Sequence, residues 1–177
     1  MARSALLLAL TCLAWLAAPA AAKDQPDPWP LAAEVRLFAQ RPLTVATLQA
    51  IERDWGTRAA AITQAGGPAL RKTDEGYGAK FRARYRVAGG HVDVTSGVFD
   101  GWLREWHVRP MSLAQAKALA MAFDRAKRGG LAIDWTHPER GERSLSFSSK
   151  GDGCVASYTF MLDGQGRVVE IDDAGAC

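Results

Sequence analysis

Four cations occupy alternate positions in one short segment of this chain. They are Lys80, Arg82, Arg84 and Arg86. Because successive side chains of a β-strand point to opposite faces, this spacing places all four charges on one face. Such a face would suit an acidic protein partner or another polyanion of the cell envelope. The alternative is a solvated face that cross-strand acids neutralise, and hairpin register would bring Asp93 opposite Arg84.

A second candidate surface combines aromatic residues with an arginine. Trp102 and Trp106 flank Arg104 on one face of a predicted strand. Trp and Arg are enriched among the residues that dominate protein–protein binding energy. We therefore place Trp102 and Arg104 beside the basic strand in one predicted contact surface. Half-buried positions in the core of a small sheet are the alternative.

Acid–base chemistry has a weaker basis. His137 lies in a polar loop with Asp134 and Glu139, and His107 alternates with Glu105 on a strand. Neither group is accompanied by an H-E-x-x-H, G-x-S-x-G or Cys–His motif. We therefore predict no catalytic residues. A small hydrolase that uses His137 with Asp134 and Glu139 remains an alternative.

The side-chain oxygens around the last glycine-containing loop raise the question of calcium binding. These residues are Asp163, Gln165, Asp172 and Asp173. A calcium loop needs oxygen ligands at alternating positions and a terminal Glu, whereas Arg167 stands where an oxygen ligand is required. The sequence therefore predicts no metal site and no cofactor.

The cysteines predict a disulfide. Residues 157–162 and 167–171 read as two strands joined by a hairpin loop at 163–166. Antiparallel register around that loop brings Cys177 within one residue of facing Cys154. A Cys154–Cys177 bond would stabilise the fold by roughly 3 kcal/mol in the chain-entropy model. The third cysteine, Cys12, lies in the first 22 residues.

Two amphipathic helices would support these strands. Thr44 can cap a helix with apolar residues three and four apart that ends at Gly56. Ser112 can cap a second helix, with Gln115 completing a capping box and Gly129 as the stop signal. Residues 31–38 are a candidate for a further short helix.

Strand patterns follow each of the two helices. The first set covers residues 77–87, 91–95 and 102–108; the second covers 132–135, 143–148, 155–162 and 167–171. This order predicts an α+β fold of two weakly repeated helix-plus-antiparallel-meander units packed as one small domain. The units are residues 44–109 and 110–177, preceded by a leader at 23–43.

The start of the chain predicts export. Arg3 precedes an apolar run that is too short to span a bilayer, and three alanines at 20–22 provide a small-residue cleavage site. Residues 1–22 are therefore predicted to be a signal peptide. Without it the chain has two more basic than acidic residues, a balance that does not indicate nucleic-acid binding. The predicted location is the periplasm or the exterior, and the protein is not expected to be integral to the membrane.

Three families resemble parts of this pattern. The first unit, which contains FDGWLREW at residues 99–106, resembles the SmpA/OmlA type of outer-membrane assembly module. The second unit, with SLAQAKALA at 112–120 and YTFMLDGQGRVV at 158–169, is similar to PepSY-type domains. The tandem helix-plus-sheet order resembles that of the β-lactamase inhibitor protein. The resemblances imply a binding or inhibitory module.

The combined expectation is an exported, non-catalytic binding protein. The leading hypothesis is a periplasmic inhibitor or immunity-type partner of an envelope enzyme. An envelope-assembly accessory protein is the second hypothesis, and the small hydrolase is the third. The expected partner is a protein of the cell envelope with an acidic contact surface.

Overall fold

A computed structural model of the chain describes residues 31–64, 81–98, 101–127, 131–149 and 154–176. These residues form two helices and one eight-stranded sheet, which confirms the predicted α+β class. The helices are α1 (Val45–Gln64) and α2 (Leu113–Ala126). The strands are β1 (Leu31–Val35), β2 (Phe81–Val87), β3 (Gly90–Val98), β4 (Gly101–Met111), β5 (Glu139–Arg140), β6 (Ser144–Ser148), β7 (Val155–Leu162) and β8 (Val168–Ala176).

The strands lie in the order β1-β2-β3-β4-β8-β7-β6-β5. All neighbouring pairs are antiparallel except β1 and β2. The central seam is therefore formed by β4 and β8, the last strand after each helix. Each seam strand has both of its edges paired, so residues from both halves of the chain meet in the middle of the sheet.

Both helices pack on the same face of the sheet. Tyr85 on β2 donates a hydrogen bond to Asp54 on α1 (2.9 Å), and Trp106 on β4 meets Phe123 on α2 edge-on, with ring centroids 5.3 Å apart. The residues between these contacts form the hydrophobic core. We call this side the helix face and the other side the open face, because neither described helix covers it.

The helix starts are as predicted, and the helix ends are not. Thr44 accepts a hydrogen bond from the amide of Thr47 (3.2 Å), and Ser112 and Gln115 form the expected capping box. Helix α1 continues past Gly56 to Gln64, so the predicted stop was wrong. A single glycine costs a helix only about 1 kcal/mol, and three alanines, strong helix formers, follow at 59–61. Helix α2 ends at Ala126, before Gly129, which lies outside the described residues.

The predicted helix over residues 31–38 was wrong. Leu31–Val35 form strand β1, which pairs with β2. The buried residues Val35 and Phe38 have a spacing that also suits a helix. The edge of β2, however, offers backbone hydrogen-bond partners, and pairing satisfies backbone groups of both strands, whereas a short isolated helix is only marginally stable.

Most strand predictions were confirmed, with shifted ends. Strands β3, β4 and β8 are longer than predicted, and part of the predicted 77–87 strand lies outside the described residues. Residues 132–135 do not form a strand; Ile133 makes only an isolated bridge to Ser149. The Trp135 carbonyl instead accepts a hydrogen bond from Lys117 of α2 at 2.6 Å.

The β7–β8 register bears on the predicted disulfide. Val155 faces Ala176, so continuation of the ladder by one residue on each strand would place positions 154 and 177 opposite each other. Cys154 does not stand as a free thiol. Cys177 lies outside the described residues, and the Cys154–Cys177 bond therefore stays a prediction.

No helix among the described residues is both long enough and apolar enough to cross a bilayer. Residues 1–30, which include the predicted signal peptide, lie outside the described residues.

Candidate functional site

The basic strand has the predicted alternation. Ala83, Tyr85 and Val87 are buried on the helix face, while Arg82 and Arg84 are partly exposed on the open face. Arg86 shares that open face, and Lys80 lies outside the described residues. The sequence pattern therefore predicted correctly which side of β2 carries the arginines.

Carboxylates accompany all three arginines. Asp93 on β3 faces Arg84 and accepts two hydrogen bonds from its guanidinium, at 2.8 and 2.6 Å. Arg82 lies 3.7 Å from the same carboxylate, and Arg86 pairs with Glu34 of β1. The Asp93 hydrogen bond raises the pKa of Arg84. The cross-strand alternative is thus realised, and the arginines form an ion-pair network rather than an isolated basic patch.

Trp102 and Arg104 do not lie on the face of the sheet that carries the arginines of β2. Arg104 faces Val94, which in turn faces the buried Ala83, so Arg104 belongs to the helix face. One combined contact surface is therefore not formed. Strand parity explains the separation: directly opposed residues share a face, and Arg104 is aligned with Ala83 rather than with an arginine.

These two residues hold a buried carboxylate instead. Asp173 of β8 is 1% exposed and accepts hydrogen bonds from the Trp102 indole at 3.0 Å and from Arg104 at 3.3 Å. Lys127 lies 2.6 Å from the same carboxylate, and Arg104 also pairs with Glu52 of α1. Burial lowers the pKa of Lys127, and the nearby Asp173 opposes that effect. This cluster ties both helices to the seam of the sheet.

A group that the sequence analysis did not assemble lies at the centre of the open face. His91 and His107 are directly opposite on β3 and β4, and their rings stack with centroids 4.2 Å apart. Glu170 is opposite His107 on β8, and its carboxylate lies 2.8 Å from His107 Nδ1. Three neighbouring strands thus contribute one continuous row of two imidazoles and a carboxylate.

The histidines of this row have opposite pKa shifts. Burial, followed by the charge of His107, lowers the pKa of His91 to about 4. The hydrogen bond with Glu170 raises the pKa of His107. At neutral pH His91 is therefore an uncharged imidazole, whereas His107 holds its proton more tightly than a free imidazole.

The adjacent row across the same strands is acidic. Asp93 faces Glu105, which faces Asp172. Burial and the nearby Glu170 raise the pKa of Asp172 to about 7, and the same two causes raise that of Glu105. We call the two rows together the imidazole–carboxylate cluster. Its six members are His91, Asp93, Glu105, His107, Glu170 and Asp172.

This cluster can bind a cation, hold a proton or pair with charged groups of a partner. Two subsets bring three ligand atoms within 4.8 Å of one another: His91 with Asp93 and His107, and Glu105 with Glu170 and Asp172. The sequence alone does not bring these residues together, because Glu170 and Asp172 come from the distant strand β8 and the pairing of His91 with His107 depends on the β3–β4 register. The alternation of His107 with Glu105 was the one local signal.

The hydrolase residues are brought together only in part. His137 Nδ1 lies 3.0 Å from the Asp134 carboxylate, and the same ring nitrogen contacts the Thr136 hydroxyl. The His137 side chain is 78% exposed. Glu139 is an exposed residue of β5. This local contact orders the loop, and its geometry resembles an Asx-type turn more than a catalytic base held in a cleft.

The hairpin loop at residues 163–166, a calcium-loop candidate by its side-chain oxygens, is closed by its own hydrogen bonds. Asp163 accepts from the backbone amides of Gln165 and Arg167, each at 2.9 Å, and from the Arg167 guanidinium. These bonds lower the pKa of Asp163. Gly166, with φ +73°, supplies the left-handed conformation that the turn requires.

Comparison of this chain with family models, with curated proteins and with solved structures finds no match. The resemblances to SmpA/OmlA modules, PepSY domains and the β-lactamase inhibitor protein therefore stay predictions.

Proposed function

We propose that this chain is an exported binding protein that holds a protein partner on the open face of its sheet. The supporting observation is the one-sided packing: both described helices lie on the helix face, and the charged rows of β2, β3, β4 and β8 lie on the other. A periplasmic inhibitor or immunity-type protein that blocks an envelope enzyme is the leading form of the proposal.

The chemistry of the open face indicates what such a partner would present. Arg86 is 42% exposed, and its carboxylate partner Glu34 lies near the sheet edge. Glu105 and Asp172 lie in the seam, where burial disfavours their ionised forms. A partner with an acidic group toward β2 and a basic group toward the seam would complement both regions.

The proposal includes an internal repeat. In both halves a helix is followed by antiparallel strands, and the last strand of each half joins the seam. The proposed units are residues 44–109 and 110–177, preceded by a proposed leader at 23–43 and a proposed signal peptide at 1–22. A helix followed by strands in each half is also the order that the resemblance to the β-lactamase inhibitor protein implies.

A pull-down from envelope and secreted fractions tests the proposal. The wild-type chain is compared with Met161→Arg, which places a large cation on the open face where Met161 is 36% exposed. The matched control is Ala114→Arg on the exposed side of α2. We expect Met161→Arg to lose the partner and Ala114→Arg to retain it.

The identity of the captured protein separates the forms of the proposal. One soluble enzyme, inhibited by the wild type and not by Met161→Arg, would support the inhibitor. Components of a membrane complex would instead support the envelope-assembly accessory. Equal capture by wild type and Met161→Arg, with loss in Ala114→Arg, would reject the open face as the contact surface.

The hydrolase remains a second candidate because Asp134 and His137 are in contact. An activity screen against ester, amide and glycoside substrates would compare the wild type with His137→Asn. Turnover that disappears in His137→Asn would support it. Equal turnover in both proteins would reject a role for His137.

A further inference from the structure

Three residues of the imidazole–carboxylate cluster have the composition of a transition-metal site. The ligand atoms of His91, Asp93 and His107 lie within 4.8 Å of one another, and His91 Nε2 is 4.0 Å from Asp93 Oδ1. Two nitrogens and one carboxylate oxygen are a set that binds zinc and neighbouring divalent metals. Unlike an exposed acidic cluster, this set includes two stacked imidazoles and a carboxylate that is 1% exposed.

The spacing is close to what a shared ion requires. Ligand atoms bound at about 2.1 Å lie roughly 3.4 Å apart in a tetrahedral site. The distance from His91 Nε2 to Asp93 Oδ1 is 4.0 Å, and every pair in the set lies within 4.8 Å. Small rotations of the two imidazoles about their side-chain bonds can shorten these distances. Strands β3 and β4 fix the backbone positions, because His91 and His107 are directly paired in the ladder.

The residues around this set act as outer-shell partners. Glu170 binds His107 at Nδ1 and thereby leaves Nε2 as the free nitrogen. Arg84 holds the Asp93 carboxylate with two hydrogen bonds. Metal-binding imidazoles and carboxylates in proteins are commonly oriented in this way. The positive charge of Arg84 opposes an incoming cation, so we expect weaker binding than a carboxylate without an arginine would give.

We propose that His91, His107 and Asp93 bind one divalent transition-metal ion, with zinc as the best match, and that Glu170 positions His107 for it. The site goes beyond the proposed function, since it requires no protein partner. It uses residues of three strands on the open face and leaves at least one coordination position for water or another ligand.

Titration of the metal-free protein, purified without a histidine tag, tests the site. Zn²⁺ affinity is measured by calorimetry, and Co²⁺ is used as a second probe because its visible absorption reports nitrogen and oxygen ligands. We expect one ion per chain, loss of that binding in His91→Asn and His107→Asn, and unchanged binding in the control His137→Asn. Glu170→Gln keeps all three ligands and should weaken binding by about tenfold.

Circular dichroism without metal separates lost ligands from lost structure. If His91→Asn fails to fold, the comparison of Glu170→Gln with His137→Asn still decides the question. Equal Zn²⁺ affinity in wild type and His91→Asn would overturn the proposal. The proposal would also be overturned if the wild type bound neither Zn²⁺ nor Co²⁺, or if only His137→Asn removed the binding.

Discussion

Asp173 shows how a single buried charge can organise the helix face. Its carboxylate accepts hydrogen bonds from the side chains of Trp102 and Arg104 and forms an ion pair with Lys127. In Asp173→Asn the two cations would lose their common counter-ion within the protein, and such losses typically cost about 3–5 kcal/mol. We expect urea unfolding to show a decrease of that size. Glu142→Gln, an exposed control, should change the free energy of unfolding by less than about 0.5 kcal/mol; a similarly small change in Asp173→Asn would contradict this role.

Asp124 provides a pH-dependent prediction. Burial raises the pKa of Asp124 above its usual 3.8, and the charge of Asp173 adds to this shift. A carboxyl group whose pKa is raised in the folded state favours folding at low pH. That contribution to the free energy of unfolding is lost as the pH rises through the folded-state pKa. At neutral pH the ionised side chain, which also lies in the last turn of α2, is therefore unfavourable.

We consequently expect Asp124→Asn to melt at a higher temperature than the wild type at pH 7. The difference should shrink as the pH falls through the raised pKa of Asp124, because the wild-type carboxyl then takes up its proton. Thermal unfolding at several pH values measures both. A melting-temperature difference that stays constant with pH would show that packing, rather than charge, separates the two proteins.

Single residues of the site were predictable where the signal was local. The alternation on β2 placed the arginines on one face, and hairpin register correctly paired Arg84 with Asp93. The role of Trp102 could not be predicted, because its partner Asp173 lies 71 positions away. The imidazole–carboxylate cluster was missed for the same reason: Glu170 meets His107 only through the pairing of β4 with β8.

At the scale of elements, two glycines test how helices and strands tolerate side chains. Gly56 is exposed within α1, and an added Cβ would meet nothing within 4 Å. We expect Gly56→Ala to stabilise by up to about 1 kcal/mol. Gly175 of β8 lies against the Trp102 ring, which an added Cβ would overlap.

Gly175→Ala should therefore destabilise by about 1–3 kcal/mol. If the packing is as described, thermal unfolding will show a higher melting temperature than the wild type for Gly56→Ala and a lower one for Gly175→Ala. Loss of stability in Gly56→Ala would mean that the second half of α1 is not helical in solution.

Strand register explains why correct prediction of the strands did not predict which of their residues pair in the site. Between Thr95 and Val98 the β3–β4 ladder shifts by one residue. Without that irregularity His91 would face a neighbour of His107 instead, because a one-residue slip exchanges the faces of a strand. The sequence marks a turn near Asp100 but carries no clear sign of the shift, so the stacked histidines could not be foreseen.

The molecule as a whole depends on the seam between β4 and β8. Strand propensity predicted two separate sets of strands. Which strands of the two sets pair with each other in the sheet is decided by long-range packing. Fully buried Trp106 of β4 contacts both Phe123 and Tyr158 from the second half. Neither half can bury this indole alone, so their stabilities should be coupled.

This coupling predicts a single unfolding transition for the two halves. Far-UV circular dichroism and tryptophan fluorescence should give coincident curves. Trp106→Ala should cost about 3–5 kcal/mol and reduce amide-exchange protection in β2 and β3 as much as in β6 and β7, while Leu37→Ala, at an exposed site, should change neither. Loss of protection confined to residues 81–98 would show that the halves unfold separately. The seam would then be an interface between two units, and the open face would lack the rigidity that a preorganised binding surface needs.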